Sequence, residues 1–179
     1  MANIKLHDKE FKPFIKAEEI DRVIEKMAGQ MNEDLKDSQP LFLSILNGSF
    51  MFTSDLIKQI TIPGTAISFV KVASYSGTTS SGEVKELIGL KEDITGKTIV
   101  ILEDIIDSGK SMSHLLQYLK SKNAGQVVVA TLFYKPKALV CPVNIDYCGI
   151  ELENDFVVGR GLDYDGLGRN YPDLYILQE

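Results

Sequence analysis

The densest chemistry in this chain lies at residues 99–112, IVILEDIIDSGKSM. An uninterrupted apolar run meets two adjacent carboxylates, Glu103 and Asp104, and then Asp107, Ser108, Gly109, Lys110 and Ser111 open what reads as a helix. The first turn of a helix leaves backbone N–H groups unpaired and carries the positive end of the dipole, so a loop feeding it can hold a phosphate. Gly109 allows an anion close to the backbone, and the hydroxyls of Ser108 and Ser111 add donors. The rival pattern is a nucleoside-triphosphate loop. It requires a glycine at position 104, where this chain has Asp104. Paired carboxylates repel a triphosphate but accept hydrogen bonds from a vicinal diol. The combination suggests a sugar phosphate, with Glu103 and Asp104 on ribose hydroxyls and 107–111 on the 5-phosphate. The competing reading is a solvated acidic turn before a helix capped by Asp107 or Ser108.

The elements that must position these groups can be read from periodicity. Residues 98–102 form a buried strand, 111–122 a helix and 127–134 a second buried strand. Together they make a βαβ unit and imply a parallel sheet. Upstream, 17–36 repeats Ile20, Val23, Ile24, Met27, Met31 and Leu35 at helical steps. Residues 41–46 read as a strand ended by Asn47, Gly48 and Ser49, then 50–60 as helix and 66–72 as strand. Short strands follow at 145–150, 156–158 and 175–177. Between two segments that could pair as strands, 68–73 and 83–90, lies 74–82, in which eight of nine residues are Ser, Thr or Gly and the other is Tyr75. So little apolar area predicts a mobile lid or hairpin tip.

The chain has 179 residues, which suits one domain whose core needs no disulfide or metal staple. Nineteen Lys and Arg against 25 Asp and Glu leave a formal charge of −6, the wrong sign for a nucleic-acid binder. Two cysteines and two histidines cannot build a His/Cys metal cluster. Cys141 and Cys148 read as small core residues in a reducing compartment. Charges at Lys5, Asp8, Lys9, Glu10 and Lys12 break any signal-peptide core, and no apolar run approaches ~18 residues, so the expected location is the cytoplasm.

The 99–112 segment resembles the phosphoribosyl-pyrophosphate motif of the type I phosphoribosyltransferases, in the spelling of their hypoxanthine-guanine branch. LNGSFMF at 46–52, SYSGTTSSG at 74–82, FVVGRGLDYDGLGR at 156–169 and Lys135 agree with it. The resemblance spans roughly residues 10–179. It implies a single α/β domain, a central parallel sheet flanked by helices, with a lid at 74–82 and a small purine-binding hood built largely from 140–179. It also implies transfer of a 5-phosphoribosyl group from phosphoribosyl pyrophosphate to N9 of hypoxanthine or guanine, in a homodimer or homotetramer. A sensor of phosphoribosyl pyrophosphate that binds nucleic acid is the alternative of another class, and it would need a basic face this chain lacks. A transferase acting on xanthine or another base is the alternative within the class.

By the same resemblance, Asp107 faces N7 of the purine as general base or acid. Lys135 donates to O6, Phe156 stacks on the ring, and Val157 reads the base through its backbone. Asp163, beside the purine, matches a Mg²⁺ position, with Glu103 and Asp104 as further oxygen donors for the ion. Asn47, Gly48 and Arg169 fall at the pyrophosphate, and Ser74 and Tyr75 in the lid. Two departures stand out. The family usually has lysine where this chain has Asn47; its cis peptide at that place, Leu46–Asn47 here, would still turn a backbone N–H toward pyrophosphate. Arg160 stands where the family often has tyrosine, and the sequence assigns it no role.

Overall fold

The computed structural model describes residues 2–72 and 87–178. In chain order, the elements are β1 (Ile4–Leu6), β2 (Lys9–Ile15), α1 (Ala17–Asp34), β3 (Leu41–Ile45), α2 (Phe50–Ile57), β4 (Ala66–Val72), β5 (Leu87–Ile88), β6 (Ile99–Ile106), α3 (Lys110–Ser121), β7 (Val127–Tyr134), a 3-10 turn at Pro136–Ala138, β8 (Tyr147–Glu151), β9 (Val157–Val158) and β10 (Leu174–Leu177). The larger sheet runs β5-β4-β3-β6-β7-β8. Strands β4, β3, β6, β7 and β8 are parallel, and β5 pairs antiparallel with β4. The βαβ unit expected around 98–134 is therefore present as β6–α3–β7.

Strand residues alternate between faces, and the core divides accordingly. Phe42, Val100, Leu102, Val128, Ala130 and Leu132 pack against Ile24, Met27 and Met31 of α1 and Phe52 and Leu56 of α2. Leu41, Leu43, Ile45, Ile99, Ile101 and Val129 pack against Met112, Leu115 and Leu119 of α3. Both faces of β3 and of the first half of β6 are buried, which is why these strands read as continuous apolar runs.

A second, antiparallel sheet has the order β1-β2-β10-β9. Segment 140–179 supplies two of its strands, and an N-terminal hairpin supplies the other two. The charges in that hairpin alternate with Leu6, Phe11 and Ile15, which turn inward. Pro13 fits within β2 because it falls beyond the stretch paired with β1, next to a register shift opposite β10. The helix α1 lacks a side-chain cap of its own at Lys16. Asp173 supplies one from the far end of the chain, its Oδ1 accepting from the Ala17 N–H at 2.7 Å.

The cysteines depart from expectation. Both are free, Cys148 is exposed on the outer strand β8 and Cys141 is only partly buried, so neither belongs to the core. Among the described residues, no helix is long and apolar enough to cross a membrane. The expected lid, with Ser74 and Tyr75, lies outside the described residues.

Candidate active site

The site gathers at the carboxyl ends of the parallel strands, where loops leave the sheet and ligands of α/β proteins bind. Strand β6 runs to Ile106, so Glu103 and Asp104 belong to the strand itself. Asp107, Ser108 and Gly109 then turn into α3. Gly109 has φ 74°, and a Cβ there would lie 2.4 Å from the Cys141 carbonyl oxygen. Only glycine fits this turn. The Cys141 and Val140 amides both donate to the Ser108 carbonyl at 3.0 Å, tying the turn to the segment after β7. A cavity of about 130 Å³ opens here, lined by Glu103, Ile105, Ile106, Asp107, Ser108, Gly109, Ser111 and Met112. Lys110 is the first residue of α3 and is exposed. The helix begins without a side-chain cap, so its first amides remain available to an anion.

Glu103 is partly buried, and burial, then the charge and hydrogen bond of Asp104, push its carboxyl well above the usual carboxylate range. Between the unfolded value of about 4.3 and the raised folded one, the folded chain holds a proton the unfolded chain has lost. Stability therefore falls as pH rises through that window. In the substrate-free protein, Glu103→Gln is expected to raise the denaturation midpoint near pH 7.5 and to change it little near pH 4. A midpoint lowered at pH 7.5 would contradict this account of the pair.

Lys135 sits immediately after β7 and is buried, with its amide donating to the Ile106 carbonyl at 2.9 Å. Its ammonium lies 3.7 Å from Asp107 Oδ2, while Asp107 stays more than half exposed. An acid on the opening thus has a buried cation beside it.

The turn after β3 contains Asn47 and Gly48, and the Leu46–Asn47 peptide is cis. A Cβ on Gly48 would fall 1.5 Å from Asp104 Oδ2, so the Asp104 carboxylate lies directly against this turn. On another side, a Cβ on Gly161 would fall 1.9 Å from the Gly48 carbonyl oxygen. The turn is also fixed from below. Ser44 Oγ is 2.8 Å from both Ser49 Oγ and Thr53 Oγ1, and the Ser49 hydroxyl donates to the Ile45 carbonyl at 2.6 Å.

Arg169 donates to the Gly161 carbonyl at 2.7 Å and pairs with Asp163 Oδ1 at 2.6 Å. Asp163 Oδ2 accepts from the Gly166 amide at 2.7 Å. Phe156 is 44% exposed, with its ring 6.1 Å from Phe11 and 5.8 Å from Tyr164. The Leu177 amide donates to the Phe156 carbonyl at 2.9 Å. By the alternation of an antiparallel ladder, Val157 then turns its own N–H and C=O away from β10, on the outer side of the terminal strand β9.

The structure thus brings 103–111, Lys135, Asn47, Gly48, Asp163 and Arg169 into one connected region, with Phe156 and Val157 at the edge of the smaller sheet. Sequence reasoning missed the hairpin's part in it. Tyr164 donates to Asp8 at 2.8 Å, and His7 Nε2 lies 3.2 Å from the Asp165 carbonyl oxygen, so the N-terminus holds the 163–168 loop. The inward period of Leu6, Phe11 and Ile15 was the available signal.

A family model described as the phosphoribosyl transferase domain matches residues 15–165. The chain belongs to this family. Among curated relatives, it is 39% identical over 162 residues to the hypoxanthine-guanine phosphoribosyltransferase of Streptococcus pyogenes serotype M3, covering 90% of this chain and 89% of that protein. It is 36% identical over 173 residues to the protein of the same name from Bacillus subtilis, covering 96% and 95%. A solved hypoxanthine phosphoribosyltransferase from Staphylococcus aureus superposes with a TM-score of 0.84 at 33% identity, covering 93% of this chain and 91% of that one. The βαβ core and the sheet around it are thus those of phosphoribosyltransferases.

The family pairs its sugar substrate with Mg²⁺. Among the described residues, no group of three or more His, Cys, Asp or Glu side chains converges to hold a metal ion. The donors on offer are hard carboxylate oxygens: Asp163, already shared between Arg169 and Gly166, and Glu103 and Asp104. That set fits Mg²⁺, which commonly takes one or two carboxylates and completes its shell with water and substrate phosphate oxygens.

Proposed function

We infer that this chain transfers the 5-phosphoribosyl group of phosphoribosyl pyrophosphate to N9 of hypoxanthine or guanine, giving the nucleoside monophosphate and pyrophosphate. The observation that carries this is the β6 carboxylate pair beside an uncapped helix start, with Asp107 on the same opening and the Lys135 ammonium 3.7 Å from it. The amides and hydroxyls of 107–111 hold the 5-phosphate. Glu103 and Asp104 accept from the ribose hydroxyls, which also relieves their mutual repulsion. Lys135 donates to O6, Phe156 offers a ring face, and the outward N–H and C=O of Val157 meet the purine edge.

The C1–pyrophosphate bond breaks with its electron pair leaving on pyrophosphate, N9 forms the new bond to C1, and Asp107 takes the proton from N7. Positive charge grows on the ribose and negative charge on the leaving group. The backbone at Asn47 and Gly48, with Arg169, answers the latter. Asp163, or Glu103 and Asp104, would hold Mg²⁺, which when bound would add charge neutralisation at the leaving group to that of Arg169. The reading includes a cytoplasmic setting, supported by two unpaired cysteines, and a homodimer or homotetramer.

The test is incubation with phosphoribosyl pyrophosphate, Mg²⁺ and, separately, hypoxanthine, guanine, xanthine, adenine and uracil. Inosine and guanosine monophosphates are expected, and chelating the metal should abolish their formation. Product from xanthine or uracil alone would change the base, and no nucleotide from any base would defeat the reading.

A further inference from the structure

Arg160 is almost fully buried, yet it lies outside the groups that meet substrate in the reading above. Its Nη2 donates to Asp21 on α1 and to Asp55 Oδ2 on α2, the latter at 2.8 Å, and its Nη1 donates to the Pro172 carbonyl at 3.3 Å. Nε–H has no acceptor among the described residues. The Arg160 backbone has φ 51°, a left-handed conformation disfavoured for a residue with a side chain, and its amide donates to the Tyr171 carbonyl at 2.7 Å. A buried arginine with two carboxylates is a costly construction, and apolar side chains of similar volume often serve stability as well or better. What the guanidinium adds here is geometry. It ties three elements to one point, and the next residue, Gly161, rests on the Gly48 carbonyl.

We propose that Arg160 is a positioning residue that holds the Asn47–Gly48 turn in register with the 161–169 loop, so that both face the same pyrophosphate. The path is short. Asp55 belongs to α2, and α2 begins at Phe50, directly after the turn. The buried hydroxyls of Ser44, Ser49 and Thr53 make turn and helix move together. Pulling α2 toward Arg160 therefore sets the contact between Gly48 and Gly161. Gly161 in turn accepts from Arg169, which holds Asp163. Lys58 also pairs with Asp55, through the other carboxylate oxygen at 2.7 Å, and leaves Oδ2 to the arginine.

The inference rests on the reading of the turn as a pyrophosphate site, so the experiment separates the two. Steady-state kinetics in both directions are measured for Arg160→Met, Arg160→Lys, Asp55→Asn and Gly48→Ala, with thermal midpoints. Arg160→Met is expected to raise KM for phosphoribosyl pyrophosphate and for pyrophosphate at least tenfold, leaving KM for the purine within twofold. Arg160→Lys, whose single ammonium lacks the second nitrogen that reaches the Pro172 carbonyl, should recover only part of this. Asp55→Asn keeps the arginine in place and should raise the same two constants if Arg160→Met does not fold. A lowered midpoint with all KM values unchanged would mean a purely structural ion pair and overturn the proposal. If Gly48→Ala also left the pyrophosphate KM unchanged, the reading of the turn would fall with it. If Gly48→Ala raised it and the Arg160 and Asp55 variants did not, the proposal alone would fail.

Discussion

Replacing Asp107 with asparagine is expected to lower kcat by ~10²–10⁴-fold, about 3–5 kcal/mol of barrier, while leaving phosphoribosyl pyrophosphate binding within a few-fold of the parent. Asparagine is isosteric and keeps the turn into α3, where Gly109 and not Asp107 occupies the position before the first helical residue. It cannot accept a proton from the purine. It also removes the charge that faces the Lys135 ammonium at 3.7 Å, which frees that lysine toward the base oxygen. The purine KM should therefore change little or fall, and the loss should sit in kcat. A helix-capping role predicts a different outcome: a stability loss of about 1 kcal/mol and near-normal turnover. Single-turnover rates with denaturation midpoints distinguish the two, and unchanged turnover would remove Asp107 from the chemistry.

Gly161→Ala is the second large effect. The position has φ 102°, outside the conformations open to alanine, and the new Cβ would lie 1.9 Å from a backbone oxygen of Gly48. Strain of order 1–3 kcal/mol is expected from the dihedral alone. The clash cannot be relieved by rotating a side chain, so the 46–49 turn or the 159–163 segment must shift. Misplacing a group by about 1 Å can cost ~10²-fold in rate, and kcat/KM for phosphoribosyl pyrophosphate should drop by at least that factor. Substitution at Gly166, where an added Cβ meets nothing within 4 Å, is the comparison: its φ of 84° adds strain without the clash. It should lower stability and spare most of kcat/KM. Equal kinetic losses in both variants would mean that strain in the loop, and not the Gly48–Gly161 contact, governs activity.

Much of the sheet was legible because burial on both faces produces apolar runs that tolerate little else. The strand at 127–134 has the expected bounds for that reason; the one at 66–72 also has them, although it exposes Ile67 and Phe69 on one face, and α1 ends at Asp34, close to the expected 36. The helix from 50 stops at Ile57, three residues early, because the chain turns at Lys58 toward the start of β4. The N-terminal hairpin was not legible. Its partner strand, β10, lies at the other end of the chain, and Pro13 with five nearby charges masks the weak alternation of Phe11 and Ile15 that was its one signal. The turn at 107–109 was legible because its geometry is local: one strand end, one glycine and one helix start. Arg160 was not, because its meaning depends on Asp21 and Asp55, which in sequence are ordinary charges on two amphipathic helices.

The most direct test of the account is a crystal of the protein soaked with phosphoribosyl pyrophosphate and Mg²⁺, without a base. The account predicts the 5-phosphate on the amides of 108–111, the ribose hydroxyls on Glu103 and Asp104, and pyrophosphate over Asn47 and Gly48. Density for the sugar elsewhere, with residues 103–111 free of it, would contradict the account.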